Sequence, residues 1–142
     1  MDREMLMGIH RKAISCASGD ESSLADTVRD NGTLDFIITR AESLPTPLER
    51  ASAYLWCIAN WHPFAEGNKR TAWLAAQASL DGRMIPCDDA EGFDRMIRSI
   101  ATGEYSEEDI PGLFGHLLVA CSGDPVEYVI RTQIELLRKL SE

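Results

Sequence analysis

Apolar residues along this chain recur mostly at helical spacing. Met5, Leu6, Ile9, Ala13 and Ile14 mark an irregular first helix from Met1 to about Ser15. His10 lies on or near that face and reads as a partly buried structural histidine. A polar loop, Ser18-Gly19-Asp20-Glu21-Ser22-Ser23, separates it from a short segment, Leu24 to Asp30. Asn31-Gly32 is a turn dipeptide. Thr33 to Thr39 then fits either a strand after a hairpin turn or a short helix capped by Thr33, and the helix is preferred. Thr46-Pro47-Leu48-Glu49 combines an N-cap, a proline at the first helical position and a capping-box glutamate. The helix it opens carries Leu48, Ala51, Leu55, Ile58 and Ala59 on one face. It should stop near Trp61, because Pro63 disfavours a helical conformation at His62.

From about Asn68 to Leu80 nearly every position after the first turn is apolar, which predicts a buried central helix ended by Asp81-Gly82. Three more helices follow. Asp88 with Glu91 caps one that carries Phe93, Met96, Ile97, Ile100 and Ala101 and closes at Gly103. Ser106 opens another with Ile110, Leu113, Phe114, Leu117, Leu118 and Cys121, its start delayed by Pro111. Asp124-Pro125 with Glu127 caps the last, which runs over about residues 125–140. No repeat, low-complexity tract or linker interrupts the pattern, so the expectation is one all-α domain over residues 1–142.

Between two of these helices lies His62-Pro63-Phe64-Ala65-Glu66-Gly67-Asn68-Lys69-Arg70. Lys69 and Arg70 fall in the first turn of the buried helix, where the macrodipole disfavours cations. An anion at that helix start is the best reason for them, and it points to phosphate chemistry. Each neighbour has a matching role. A histidine is largely neutral at pH 7, so His62 can take a proton from an attacking hydroxyl. Glu66 is a hard oxygen ligand suited to Mg²⁺, which usually arrives with phosphates. Gly67 lets the backbone approach a phosphate closely. Asn68 can donate to a phosphate oxygen or cap the helix, and Lys69 and Arg70 can neutralise charge on transferring or leaving phosphates. Phe64 points into the core and anchors the loop.

Composition narrows the classes. The chain has 142 residues, 44% of them hydrophobic, and a formal net charge of −9. That acidity argues against direct binding to nucleic acid or to an anionic membrane. Cys16, Cys57, Cys87 and Cys121 form no C-x-x-C pair and read as buried free thiols of a reducing compartment. No window approaches a membrane span and the N-terminus lacks a signal-peptide core, so a cytoplasmic location is expected.

The stretch resembles the signature of the Fic/Doc (Fido) family, H-x-F-x-[D/E]-G-N-[G/K]-R. His62, Phe64, Glu66, Gly67, Asn68 and Arg70 meet its fixed positions. The all-α layout is compatible with the family from about Thr33 to Cys121, and the final helix lies beyond what the motif vouches for. The resemblance implies ATP as substrate and transfer of part of that nucleotide onto a protein hydroxyl. His62 would be the general base and Glu66 the Mg²⁺ ligand. The Gly67-Asn68 backbone and the Asn68 side chain would form the anion site, and Arg70 would hold a distal phosphate. A small target-presenting flap, a β-hairpin, would lie upstream of the motif, around Asn31 to Ala41.

Two positions bear on the branch. Most adenylyl-transferring members have glycine where Lys69 stands and a second arginine where this chain has Trp73. Lysine without the second arginine is similar to the Doc branch, the "death on curing" toxins. That branch implies reversed nucleotide binding, transfer of the γ-phosphoryl group to a target hydroxyl, and elongation factor Tu or its equivalent as the target. Gly67 cuts the other way, since it matches the adenylylating consensus where Doc has alanine. The inhibitory pattern of many Fic proteins, [S/T]-x-x-x-E-[G/N], is not met at Glu66-Gly67, preceded by His62, or at Glu91-Gly92, preceded by Cys87. A separate antitoxin is therefore expected. Protein adenylyltransfer is the principal alternative. A catalytically silent interaction module and a metal-dependent hydrolase are weaker ones: the first has no need of an intact His62 and Glu66, and the second lacks a second histidine at helical spacing.

Overall fold

A computed structural model describes residues 1–18, 27–87 and 89–140. The expected loop from Gly19 to Ser23, the segment from Leu24 to Asp26 and the cap at Asp88 lie outside the described residues. The helices are α1 (Arg3–Ser18), α2 (Asn31–Glu42), α3 (Pro47–Trp61), α4 (Asn68–Ala78), α5 (Ala90–Ala101), α6 (Ile110–Phe114) and α7 (Pro125–Lys139). Strands β1 (Arg83–Met84) and β2 (Val119–Ala120) form one small antiparallel pair, with Arg83 opposite Ala120 and Met84 opposite Val119. The fold is all-α, as expected, with this pair as a minor β element.

The central helix is α4. It packs against α1, α3 and α7, and its Ala72, Trp73, Leu74, Ala75 and Ala76 are buried. Its buried amide is satisfied: Gln77 Nε2 donates to Ile85 O and Gln77 Oε1 accepts from Ile85 N, each at 2.9 Å. The helix closes at Ala78, two residues short of the expected Leu80. The chain then turns through Asp81 (φ 55°) and Gly82 (φ 84°) into β1. Helix α3 begins as read: Thr46 Oγ1 accepts from Glu49 N at 3.2 Å and donates to the Glu49 carboxylate at 2.8 Å.

Four expectations change. Asn31-Gly32 is the first turn of α2, not a hairpin turn, because the Asp30 carboxylate accepts from Thr33 N at 3.0 Å and caps the helix there. Residues 31–41 are consequently helical, and no flap hairpin forms in them. The helix expected from Ser106 to Cys121 is a 3₁₀ turn, Glu107–Asp109, followed by α6, which stops at Phe114. Gly112 and Gly115 weaken it, and the chain beyond pairs with β1, Cys121 N donating to Gly82 O at 2.8 Å. Cys16 and Cys57 are buried, whereas Cys87 and Cys121 are only half-buried; all four are free. Smaller adjustments are that Met5 faces solvent on α1, while His10 is fully buried.

Candidate active site

Helix α3 ends by presenting His62. The residue is exposed and serves as the helix C-cap in the left-handed region, φ 49° and ψ 63°. For a non-glycine residue that conformation is unusual and needs support. Arg29 provides it: Nε donates to His62 O at 2.7 Å and Nη2 to Trp61 O at 2.8 Å, placing a cation on the carbonyl end of α3. The same segment fixes the next residues. Arg29 N and Asp30 N donate to Pro63 O at 2.7 and 3.2 Å, and Ala65 N donates to Thr27 O at 3.1 Å. Val28 and Phe64 form an isolated antiparallel bridge. On the α2 side, exposed Phe36 lies 5.6 Å from the ring of Trp61, the residue before His62.

The loop is anchored from inside by Phe64, which is fully buried and stacks on His10 with ring centroids 3.9 Å apart. His10 Nε2–H donates to Glu66 O at 3.0 Å, so one buried histidine of α1 holds both the anchor and the backbone of the expected metal ligand. The Asn68 carboxamide is buried as well. Its Oδ1 accepts from Phe64 N and its Nδ2 donates to Phe64 O, each at 3.0 Å. This side chain clasps the loop, and what it offers an anion is its backbone N–H. The half-buried Glu66 is the carboxylate of the loop.

Gly67 starts α4 as its N-cap, at φ 77° and ψ 18°. A Cβ there would meet Ile14 Cδ1 at 2.8 Å, so any side chain at this position requires the tip of Ile14 to shift. The first N–H groups of α4 have no acceptor within the helix, and Gly67 has no side chain with which to cap them. They and the macrodipole form a positive end suited to an oxyanion.

The two cations part company. Lys69 is half-buried in the first turn. Arg70 turns to α7, with Nε donating to Leu137 O at 2.8 Å and Nη2 to Leu140 O at 2.7 Å. Its place in the first turn thus has an intramolecular counterpart that the sequence reading lacked. The charges of Arg70 and Arg138 also act on Cys16, although burial dominates and pushes its thiol up. One turn beyond Arg70, Trp73 is fully buried, edge-on to Phe93 and Phe114, and its Nε1 donates to Gln133 Oε1 at 3.0 Å.

The six residues singled out by the motif, His62, Glu66, Gly67, Asn68, Lys69 and Arg70, lie together at the loop and the start of α4, whereas the supporting contacts of Arg29 and His10 were not signalled by the sequence. Both act across the chain, at separations that no local spacing signals. Among the described residues no three His, Cys, Asp or Glu side chains cluster to hold a metal by themselves. Glu66 fits Mg²⁺ only as a single carboxylate beside substrate phosphates. No helix among the described residues is long and apolar enough to cross a membrane.

The chain is 31% identical over 93 residues to "Toxin Doc" of Mycolicibacterium smegmatis, covering 58% of this chain and 72% of that protein. No solved structure matches it significantly. The model of the Fic/DOC family matches residues 1–80, a span that holds α1, the clasped motif loop and α4. By its motif, its fold and these matches, the chain belongs to the Fic/DOC family.

Proposed function

We propose that this protein transfers the γ-phosphoryl group of ATP to a Ser or Thr hydroxyl of a target protein. Membership of a family that modifies proteins with nucleotide or phosphoryl groups supplies the reaction class. The observation that carries the choice of phosphate is Trp73. Its side chain is sealed between Phe93 and Phe114, where adenylyl-transferring members have a second arginine. A nucleotide here has Arg70, Lys69 and the N–H groups of α4, without a further cation one turn on.

In this reading His62, exposed at the end of α3, takes the proton of the target hydroxyl. The hydroxyl oxygen attacks the γ-phosphorus, the bond to the bridging oxygen breaks, and ADP leaves. The N–H groups at the start of α4 and the Lys69 and Arg70 charges stabilise the phosphate oxygens. Mg²⁺ held by Glu66 would neutralise charge on the phosphates. Asn68 and His10 keep the loop in shape. The similarity to Toxin Doc supports a toxin role, and the Doc-like motif supports a separate antitoxin and a translation factor such as elongation factor Tu as target.

Gly67 is the residue that matches the adenylylating consensus. Its φ of 77° gives glycine a conformational reason to stand there as well. Replacing His62 by Ala should abolish transfer to protein while ATP binding is retained. Transfer at the native rate in that variant would show that the base is assigned wrongly.

A further inference from the structure

Arg70 and Trp73 lie three residues apart on the face of α4 that meets α7, and both bond to that helix. The tail of α7 is located by two contacts that do not involve Arg70. At Gln133 the helix kinks (φ −122°, ψ 19°), and there its amide oxygen takes the Trp73 N–H. Five residues on, Arg138 Nε donates to Cys16 O near the end of α1 at 3.0 Å. The last turn is thereby pinned between α1 and α4, with its carbonyls, the negative end of the helix dipole, facing the guanidinium.

We infer that the tail of α7 is a positioning element of the site: the carbonyls of Leu137 and Leu140 set the plane of Arg70 so that Nη1 is left for a phosphate. The inference rests on the reading that Arg70 holds a phosphate of ATP. It extends the functional unit beyond residues 1–80, the span of the family match. A guanidinium suits this double duty because its donors form a rigid fork, which a lysine ammonium lacks.

The test compares Lys139→Pro and Lys139→Ala in the full chain. Lys139 is exposed, and proline there removes one helix hydrogen bond and drives Arg138 out of helical conformation without deleting a buried side chain. The readouts are protection of the Arg70 Nε–H in nitrogen-15 NMR spectra, Mg-ATP affinity and the thermal midpoint. Loss of that protection with affinity weakened about tenfold or more, the scale of one charge-assisted hydrogen bond, is expected for proline alone. Lost protection with unchanged or tighter ATP binding would overturn the inference. Where the proline variant misfolds or keeps Arg70 protected, Arg70→Lys decides: it should weaken Mg-ATP binding by a similar factor, and native affinity would overturn the inference. Arg70→Ala separates the two levels. If it binds ATP like the native chain, the phosphate role of Arg70 fails, whatever α7 does.

Discussion

A Cβ at position 67 would stand 2.8 Å from Ile14 Cδ1, on a backbone whose φ of 77° already favours glycine. Gly67→Ala should therefore lower stability by about 2 kcal/mol, combining left-handed strain with local overpacking. Adding Ile14→Val, which removes the clashing methyl, should recover part of that loss in urea titrations; no recovery would mean that the strain is wholly in the backbone. The glycine was legible as a motif residue, but its reason was not, because Ile14 comes from another helix. Cys57 offers a second check at this scale. Burial, with the Glu107 charge adding to it, pushes its thiol up to about 12. Little thiolate forms at pH 8, so iodoacetamide should label half-buried Cys87 and Cys121 in the folded protein and leave Cys57 unmodified. Mass spectrometry of the digested protein reads this directly, and rapid Cys57 labelling would contradict it.

At the scale of elements, local chemistry marked the helix starts well. Thr46-Pro47-Glu49 and Asp124-Pro125 are signals contained within a few residues, and α3 and α7 begin where those residues stand. The failures share a cause in partners that lie outside the stretch that carries the signal. Asn31-Gly32 has the local form of a turn, yet the carboxylate of Asp30 recruits it into α2. The apolar period running to Leu118 suggested a long α6, yet pairing with β1 takes up the backbone after it. Helix α4 was the clearest element because its burial is written in nearly continuous apolar residues. Trp73 on that helix supports a prediction. Trp73→Arg, which restores the cation of adenylyl-transferring members, should not convert the reaction. It should destabilise the fold by about 3 kcal/mol or more, since it buries a charge between Phe93 and Phe114 and strands Gln133. A stably folded variant that transfers AMP would refute this view of position 73.

Across the whole molecule, the site is a short loop held by distant parts of the chain. Arg29 holds the exit of α3, His10 of α1 holds Phe64 and Glu66, and α7 holds Arg70. The loop's own residues could be read from their spacing, because the motif is contiguous. Its supports could not, since each lies tens of residues away and acts through backbone carbonyls or buried rings. The reaction proposed for this assembly depends on the orientation of the nucleotide, with its γ-phosphate toward His62. The direct measurement supplies the full chain with ATP labelled at either the α- or the γ-phosphate, with cell extract as the source of acceptor protein. Label should pass to protein from the γ position only; label arriving from the α position would contradict phosphoryl transfer and assign this site to adenylyl transfer.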